Sequence, residues 1–271
     1  MRDSEFEFIR NLVYERSRIN LGPEKRELVS ARLGKRLRAT HLSDIGEYCR
    51  LLQAPHAEQE LNDLIDVIST NHTFFFRENA HFTFLREVVI PEVKARLKRD
   101  RWSPFTVWSA ACASGEEPYS IAITLAEYLP DTPWNVLATD ISFHALEKAR
   151  AAIYPEESVV QLPATVVQAH FHRGYGPEAG NVRLRPEIRS RVAFHQQNLL
   201  EGDPVTTGPM QLIFCRNVMI YFDRPTQTEL VARLTRLLAP GGYLFVGHAE
   251  SLTHIQHTLK PVQAAVYRRA A

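Results

Sequence analysis

The residues with the clearest chemical potential lie in the stretch SAACASGEEPYS, residues 109–120. Its small side chains and Gly115 let a ligand approach the backbone closely, and Pro118 suits the first turn of a helix. The phosphate-binding pattern G-x-G-x-x-G is absent, and Glu116 and Glu117 would repel a pyrophosphate. The stretch therefore favours a ligand that carries hydroxyl groups or positive charge.

Asp140 is the second candidate, because it ends the next predicted strand, 25 residues after Gly115. From this position in an α/β sheet, an acidic residue commonly binds the hydroxyls of a ribose. S-adenosylmethionine fits both features, because it is a nucleoside that carries a positive charge and no phosphate. The competing interpretation is that Glu116 and Glu117 only favour a helix N-terminus. The complete unit of strand, small loop, helix, strand and aspartate favours the cofactor.

A third stretch, TNHTFFFREN at residues 70–79, places three consecutive phenylalanines directly before Arg77. Three adjacent large apolar side chains cannot all face inward on one helix or one strand. Two explanations are open. The phenylalanines form a core between two domains, or they fix an irregular segment whose polar neighbours carry the function.

Two regions of different periodicity must position these candidates. Residues 1–70 have apolar side chains at helical spacing and predict four short helices, over 4–19, 24–38, 43–53 and 57–69. From about residue 104, strands alternate with helices, which predicts a mainly parallel α/β sheet covered on both faces. Residues 155–191 interrupt this alternation with glycines and short polar strands, and we expect a small inserted β subdomain there.

Composition narrows the class of protein. The 271 residues include 32 basic and 31 acidic ones, a net charge of +1, which argues against a bulk nucleic-acid binder. Cys49, Cys112 and Cys215 are widely spaced and form no CxxC. The sequence also shows no signal peptide and no apolar run long enough to span a membrane. These features and the cysteine spacing predict a reduced, cytoplasmic protein. The histidine pairs near residues 170 and 254 lack carboxylate or thiol ligands, so we expect no metal.

The sequence also contains six motifs in order: TNHTFFFRE, SAACASGEEPYSIAITLAE, LATDIS, QNLL, IFCRNVMIYFD and LLAPGGYLFVGHAESL. Together they closely resemble the chemotaxis-receptor glutamate methyltransferases, the CheR family, over nearly the whole chain. Ala113 and Ser114 stand where many relatives carry Ser-Thr, and both remain small. The resemblance implies a Rossmann-like methyltransferase sheet with an N-terminal helical domain and an inserted antiparallel β subdomain. The implied divisions are an N-terminal helical domain over 1–70, a linker over 71–103 that covers the cofactor, and a methyltransferase domain over 104–271. The inserted β subdomain occupies 155–191 of that last domain.

The resemblance assigns roles to individual residues. The linker would lie across S-adenosylmethionine, Asp140 would hold the ribose, and Asn198 and Leu199 would line the adenine. Whether Glu116 or Glu117 reaches the amino-acid end of the cofactor is left open. The implied cofactor-binding residues are Asn71, Thr73, Arg77, Glu117, Asp140, Asn198, Leu199, Asn217 and Val218, and the implied catalytic residues are Arg77 and Tyr221.

The implied reaction esterifies receptor glutamates and leaves S-adenosylhomocysteine. It needs no general base, because a carboxyl group with a pKa of about 4.3 is already an anion at cytosolic pH. Receptor helices would dock on a basic stripe, and a receptor C-terminal tail peptide would pair with an exposed strand of the insertion. The implied partner-binding residues are Lys25, Arg32 and Arg36 in the stripe, and Arg183 and Arg185 in the strand.

Two other functions remain open from the sequence. One is a methyltransferase that acts on a small molecule, and the other is a receptor-array adaptor that binds the cofactor without turnover. The helical region and the insertion argue against the first, because both offer surface for docking a protein. Arg77, Asp140 and Tyr221 argue against the second. We expect a monomer associated with membrane receptor clusters.

Overall fold

The computed structural model describes residues 1–97, 104–202 and 208–271. Its first part contains helices α1 (Asp3–Ser17), α2 (Arg26–Thr40), α3 (Ile45–Leu52) and α4 (Glu58–Ile68). A 3-10 turn over Pro23–Lys25 precedes α2. Apolar side chains at helical spacing, such as Ile9, Leu33 and Leu64, are fully buried in one cluster between these helices. The predicted helical region is confirmed.

Beyond residue 70 the described chain forms seven helices and ten strands. The helices are α5 (Asn79–Phe84), α6 (Ile90–Leu97), α7 (Glu116–Tyr128), α8 (Phe143–Ala151), α9 (Ala164–His170), α10 (Pro186–Arg189) and α11 (Arg224–Leu237). The strands are β1 (Phe105–Ala110), β2 (Trp134–Asp140), β3 (Ile153–Pro155), β4 (Phe171–Arg173), β5 (Asn181–Leu184), β6 (Val192–Gln196), β7 (Met210–Cys215), β8 (Leu238–Val246), β9 (Lys260–Gln263) and β10 (Val266–Arg268). Within the described ranges, no helix has the length and apolar character needed to cross a membrane.

Seven of these strands form the central sheet, in the order β6-β2-β1-β7-β8-β10-β9. Strands β6, β2, β1, β7 and β8 run parallel to one another, and β10 is antiparallel to both β8 and β9. The predicted mainly parallel α/β sheet is therefore confirmed. The chain extends the sheet from β1 to β2 on one side and to β7 on the other, so strand order reverses at β1. Ligands of such sheets bind at this point, at the carboxyl ends of the strands.

Successive side chains of β1 enter different cores, as expected for a strand buried on both faces. Phe105 and Val107 pack in a cluster with α7, whereas Trp108 and Ala110 pack in a second cluster with α11. Because helices cover both faces, the sheet offers its strand ends, and not its faces, to a ligand.

The insertion forms a three-stranded antiparallel sheet in the order β3-β5-β4. An antiparallel inserted β subdomain is thus confirmed, but the prediction that Arg183 and Arg185 share an exposed edge strand is wrong. Strand β5 is central and pairs with β3 and β4. Arg183 is exposed on it, whereas Arg185 lies beyond its end and donates from Nη2 to the Gln168 carbonyl at 3.0 Å.

The predicted linker contains regular structure that the sequence did not indicate. Helices α5 and α6 are joined by a π-helical turn over Leu85–Val89, whose buried residues pack against the sheet. The last part of the predicted linker, residues 98–103, lies outside the described residues. The domain boundaries themselves stay predictions.

Candidate active site

A cleft opens at the carboxyl ends of β1, β2 and β7. Its walls include every residue predicted to bind the cofactor or to act in catalysis: Asn71, Thr73, Arg77, Glu117, Asp140, Asn198, Leu199, Asn217, Val218 and Tyr221. The end of α1 contributes Ser17 and Ile19, and the end of β7 contributes Arg216. None of these three was predicted. Residues as far apart in the sequence as Ser17 and Tyr221, 204 positions, therefore line one cleft, although the roles of the predicted residues stay predictions.

The turn after β1 explains why small residues occupy this stretch. Ala111 and Ala113 have positive φ angles of 65° and 48°, and Gly115 has φ 98°. A Cβ at Gly115 would lie 2.8 Å from the Ala149 Cβ and 2.9 Å from the Tyr154 hydroxyl. The backbone therefore needs glycine at this position, both for its conformation and for the close approach of α8 and β3.

Asp140 is buried at the end of β2 and is fixed by backbone donors. Its Oδ2 accepts from the Ala113 N–H at 2.8 Å, and its Oδ1 accepts from the Ser142 N–H at 2.9 Å. Burial raises the pKa of Asp140, and the backbone hydrogen bonds oppose that rise. Each carboxylate oxygen keeps a second acceptor site, so Asp140 can bind hydroxyl groups in the cleft.

Glu117 lies on the cleft wall, whereas Glu116 turns to the Ser114 hydroxyl at 2.7 Å. The Oε1 of Glu117 accepts from the Ser109 hydroxyl at 2.7 Å, and its Oε2 accepts from Arg216 Nη1 at 2.9 Å. Burial raises the pKa of Glu117, against the opposing effect of the guanidinium. Of the two glutamates left open by the sequence, the geometry favours Glu117 as the one that faces a ligand.

Arg216 is the most important site residue that sequence reasoning missed. Its side chain is 1% exposed and pairs with Glu117 and with Glu78, whose Oε2 is 3.0 Å from Nη2. Nη2 also donates to the Arg77 carbonyl at 2.5 Å. The buried Nε has no hydrogen-bond partner among the described residues. The only sequence signal was its place beside Asn217 at the end of a predicted strand.

The three phenylalanines have different environments. Phe75 is buried against Tyr154 and Phe171, with ring centroids 5.0 and 5.5 Å away. Phe76 packs partly buried against the same core, whereas Phe74 is 44% exposed. Phe75 and Phe76 therefore belong to a core, as the first explanation requires. The segment that carries them is irregular, as the second explanation requires.

This irregular segment is fixed against α7 and presents its polar side chains to the cleft. The Phe76 N–H donates to the Ser120 hydroxyl at 2.9 Å. Arg77 donates from Nη1 to the His72 carbonyl at 3.2 Å, and its guanidinium lies 5.9 Å from the centre of the Phe74 ring. Arg77 is half-buried at the cleft, so its remaining N–H donors can reach a ligand.

The loop after β7 is held by Glu250, another residue that sequence reasoning missed. This buried carboxylate accepts from the backbone N–H groups of Asn217 and Gly247, each at 2.7 Å, and of Ile220 at 3.2 Å. Asn217 has φ 59°, and its Nδ2 donates to Glu78 Oε1 at 3.2 Å. The loop that carries Asn217, Val218 and Tyr221 is thus fixed by charge-assisted hydrogen bonds.

The helical part closes the other side of the cleft. Asn198 donates from Nδ2 to the Arg16 carbonyl at 3.1 Å, at the end of α1. The Asn20 N–H donates to the Tyr221 carbonyl at 2.8 Å. Leu199 is buried beside these contacts and gives the cleft an apolar wall.

The cations of the predicted docking stripe have partners within the helical part, and their role in docking receptor helices stays a prediction. Arg36 binds Glu60 at 2.6 Å and Asp63 at 2.7 Å, so α4 neutralises it. Arg32 caps the end of α4 by donating to the Ser69 carbonyl at 3.2 Å, and Lys25 donates to a carbonyl of the preceding loop. Arg32 and Arg36 lie on α2 and Lys25 in the 3-10 turn before it, and their contacts link parts of the helical region.

Comparison with known proteins gives a consistent result. Residues 71–268 match the family described as "CheR methyltransferase, SAM binding domain", and residues 4–69 match "CheR methyltransferase, all-alpha domain". Chemotaxis protein methyltransferase 2 of Pseudomonas aeruginosa is 43% identical over 98% of this chain and 93% of its own length. The chemotaxis protein methyltransferases of Escherichia coli and Salmonella typhimurium are 43% and 44% identical, each over 94% of this chain and 87% and 86% of their own lengths.

Proposed function

Because this chain belongs to the CheR methyltransferase family, we propose that it transfers methyl groups from S-adenosylmethionine to glutamate side chains of chemotaxis receptors. It is an S-adenosylmethionine-dependent methyltransferase of chemotaxis, and the glutamate acceptor is the proposed part. The observation that supports this acceptor most directly is the half-buried guanidinium of Arg77, which lines the same cleft as Asp140. An acceptor carboxylate suits this cation.

The residues of the cleft fit the cofactor. Asp140 offers acceptors to ribose hydroxyls, and the small turn after β1 leaves space beside it. The orphaned Nε of Arg216 is a donor for a carboxylate, either the one in the cofactor's amino-acid part or the one on the acceptor. We assign the ribose to Asp140, the adenine to Asn198 and Leu199, and the amino-acid end to the neighbourhood of Glu117.

The reaction demands alignment from this chain and no proton transfer. Bound S-adenosylmethionine would supply a methyl group on its sulfonium sulfur. An acceptor carboxylate oxygen would bond to that carbon in line as the C–S bond breaks, and S-adenosylhomocysteine would leave. Alignment and exclusion of water are worth roughly 7–11 kcal/mol in such reactions. Arg77 orients the acceptor through one carboxylate oxygen, because pairing both oxygens would reduce their nucleophilicity. Phe75 and Phe76 keep the segment that carries Arg77 in place.

The test uses labelled cofactor and membranes that contain chemotaxis receptors. After incubation with the protein, the label is expected in a receptor band and is released as volatile methanol by alkali, as carboxyl methyl esters require. Membranes without the protein are the control. Base-stable label would refute a glutamate ester, label only in a low-mass fraction would favour a small-molecule acceptor, and no transfer would favour an adaptor.

We also propose that the small sheet binds an acidic, aromatic receptor tail, with β3 or β4 as the accepting edge in place of β5. Arg183 on β5 pairs with Ile153 on one side and with His172 on the other. Ile153 is 40% exposed, and Arg183 and His172 are also exposed. Ile153, Arg183 and His172 thus form a row of one apolar and two basic side chains across the small sheet, between the outer edges of β3 and β4. Such a row suits an extended peptide with aromatic and acidic residues.

Reversal of the charge at Arg183 tests this peptide site. Arg183→Glu should weaken binding of an acidic, aromatic tail peptide at least tenfold from the micromolar range, and added salt should weaken the parent protein's binding. Lys35→Glu makes the same charge change at an exposed residue of α2 and is the control. This variant should bind the tail peptide with the affinity of the parent protein. Fluorescence anisotropy of labelled peptide measures both, and equal affinities for the two variants would place the tail elsewhere.

A further inference from the structure

Three potential metal ligands converge where the segment after Arg77 meets the loop after β8. They are Glu78, His81 and His248, and one ligand atom of each lies within 4.8 Å of the others. Glu78 immediately precedes α5 and His81 lies in its first turn, so a spacing of three residues brings both to one side. His248 lies in the loop after β8, two residues beyond the end of that strand.

His81 is the unusual member of this group. Its side chain is 0% exposed, and neither ring nitrogen has a hydrogen-bond partner among the described residues. Nδ1 lies 3.5 Å from Glu78 Oε2, too far for a good hydrogen bond. A buried polar side chain with both of its nitrogens unpaired is rare and costly, and it points to a ligand that is bound there.

The ring of His81 is held in position by its aromatic neighbours. It packs 5.2 Å from the Phe245 ring and 5.0 Å from the His248 ring, measured between centroids. These contacts fix the orientation of its two ring nitrogens, which are the atoms that an imidazole offers to a metal ion.

The charges around Glu78 are compatible with a cation. Glu78 Oε2 accepts from Arg216 at 3.0 Å and Oε1 accepts from Asn217 at 3.2 Å. Arg216 is neutralised by Glu117 at 2.9 Å, so an ion at Glu78 would face a balanced pair and not a lone guanidinium. His248 is exposed, which provides a path for the ion to enter.

We propose that Glu78, His81 and His248 form a binding site for a divalent transition-metal ion of the Zn²⁺ type. Two imidazoles and one carboxylate are a donor set that zinc uses, and the exposed side leaves positions for water. Zn–N bonds of about 2.0–2.1 Å require the donors to approach one another more closely. The exposed His248 supplies that movement, and the ion ties the cleft segment to the loop after β8.

The sequence did not reveal this site, because His81 and His248 are 167 residues apart. The expectation of no metal rested on histidine pairs that are close in sequence. Glu78 and His81 form a Glu-x-x-His pair, but a two-ligand motif has no predictive value without the third ligand.

Titration of ZnCl₂ into the full chain by calorimetry, without cofactor or receptor, tests the proposal independently of the methylation reaction. One equivalent should bind the parent protein, and His248→Ala should weaken that binding at least tenfold. His248 is exposed, so its removal should not prevent folding. His195→Ala removes an exposed histidine of β6 and should leave zinc affinity unchanged.

Cobalt substitution provides a second readout. Co²⁺ should give visible absorption bands of a low-coordinate site in the parent protein, and His248→Ala or the isosteric Glu78→Gln should remove them. Absence of saturable zinc binding, or equal affinity in the parent protein and in His248→Ala, would overturn the proposal.

Discussion

At the scale of single residues, the acidic groups of the cleft are fixed by their own chain before any ligand binds. Asp140 is held by two backbone N–H groups, Glu117 by Ser109 and Arg216, and Glu250 by backbone N–H groups of the loop after β7. Burial raises the pKa of all three carboxyl groups. Such fixed groups lose little freedom when a ligand arrives, which favours affinity.

Asp140→Ala should weaken cofactor binding by roughly 1.5–3 kcal/mol, the range for a hydrogen bond that involves a charged group. The physical reason is loss of the acceptor oxygens at the end of β2. Titration calorimetry with S-adenosylmethionine measures the change, after circular dichroism has shown that the variant is folded. Asp131→Ala, at an exposed aspartate before β2, is the control. Equal affinities for Asp140→Ala and the parent protein would remove Asp140 from the cofactor site.

Arg77→Ala should reduce turnover far more than it weakens cofactor binding, because the proposed partner of Arg77 is the acceptor carboxylate. Single-turnover methylation at saturating cofactor separates the two effects. Arg77→Lys keeps the charge and should recover part of the rate, since a point charge orients a carboxylate less well than a guanidinium. A near-normal rate for Arg77→Ala would leave Arg77 as only a structural neighbour of Phe74.

At the scale of elements, α2 and α4 are joined by a partly buried ion-pair network. Arg36 binds Glu60 and Asp63, and the Tyr48 hydroxyl also donates to Glu60 at 2.6 Å. The two carboxylates raise the pKa of Arg36, so the guanidinium stays charged. The network therefore holds the helix pair that supports the cleft segment at its start.

Arg36→Ala should destabilise the protein by about 3 kcal/mol, because it leaves two partly buried carboxylates without their cation. Urea unfolding followed by circular dichroism measures the free energy of unfolding. Lys35→Ala, a neighbouring exposed cation, should change it by less than about 0.5 kcal/mol. If both variants unfolded alike, the network would contribute no more than a solvated surface charge.

At the scale of the whole molecule, the helical part and the sheet meet across the cleft at the strand ends. Tyr14 on α1 donates its hydroxyl proton to Asp223, which precedes α11, at 2.8 Å. Asn20 and Asn198 make the further contacts between α1 and the loops after β7 and β6. The cleft is therefore complete only while α1 is docked.

Tyr14→Phe should raise the dissociation constant for S-adenosylmethionine about threefold to tenfold. One hydrogen bond contributes roughly 0.5–1.5 kcal/mol, and its loss favours undocking of α1 from the cleft. Equilibrium dialysis measures the affinity, with Tyr128→Phe, at an exposed tyrosine of α7, as the control. An unchanged constant for Tyr14→Phe would show that docking of α1 does not depend on this contact.

The sequence by itself determined the fold class and ten of the residues that line the cleft. Helical spacing in the first 70 residues and alternating strands and helices beyond them are local patterns, and both are confirmed. The end of each parallel strand falls at one edge of the sheet, so Asp140 and Asn217 could be predicted as neighbours from the strand pattern and the family motifs. Family resemblance supplied the residues outside the strands.

Only the tertiary structure decided which charges are partnered. Arg216 looked like a strand-end neighbour of Asn217, but folding buries it between Glu78 and Glu117. Arg36 looked like a docking cation, but α4 brings two carboxylates to it. Strand β5 looked like an edge, but β3 and β4 pair with both of its sides. Periodicity is set by neighbours along the chain, whereas partnership depends on groups that are distant in sequence and meet only in the folded protein.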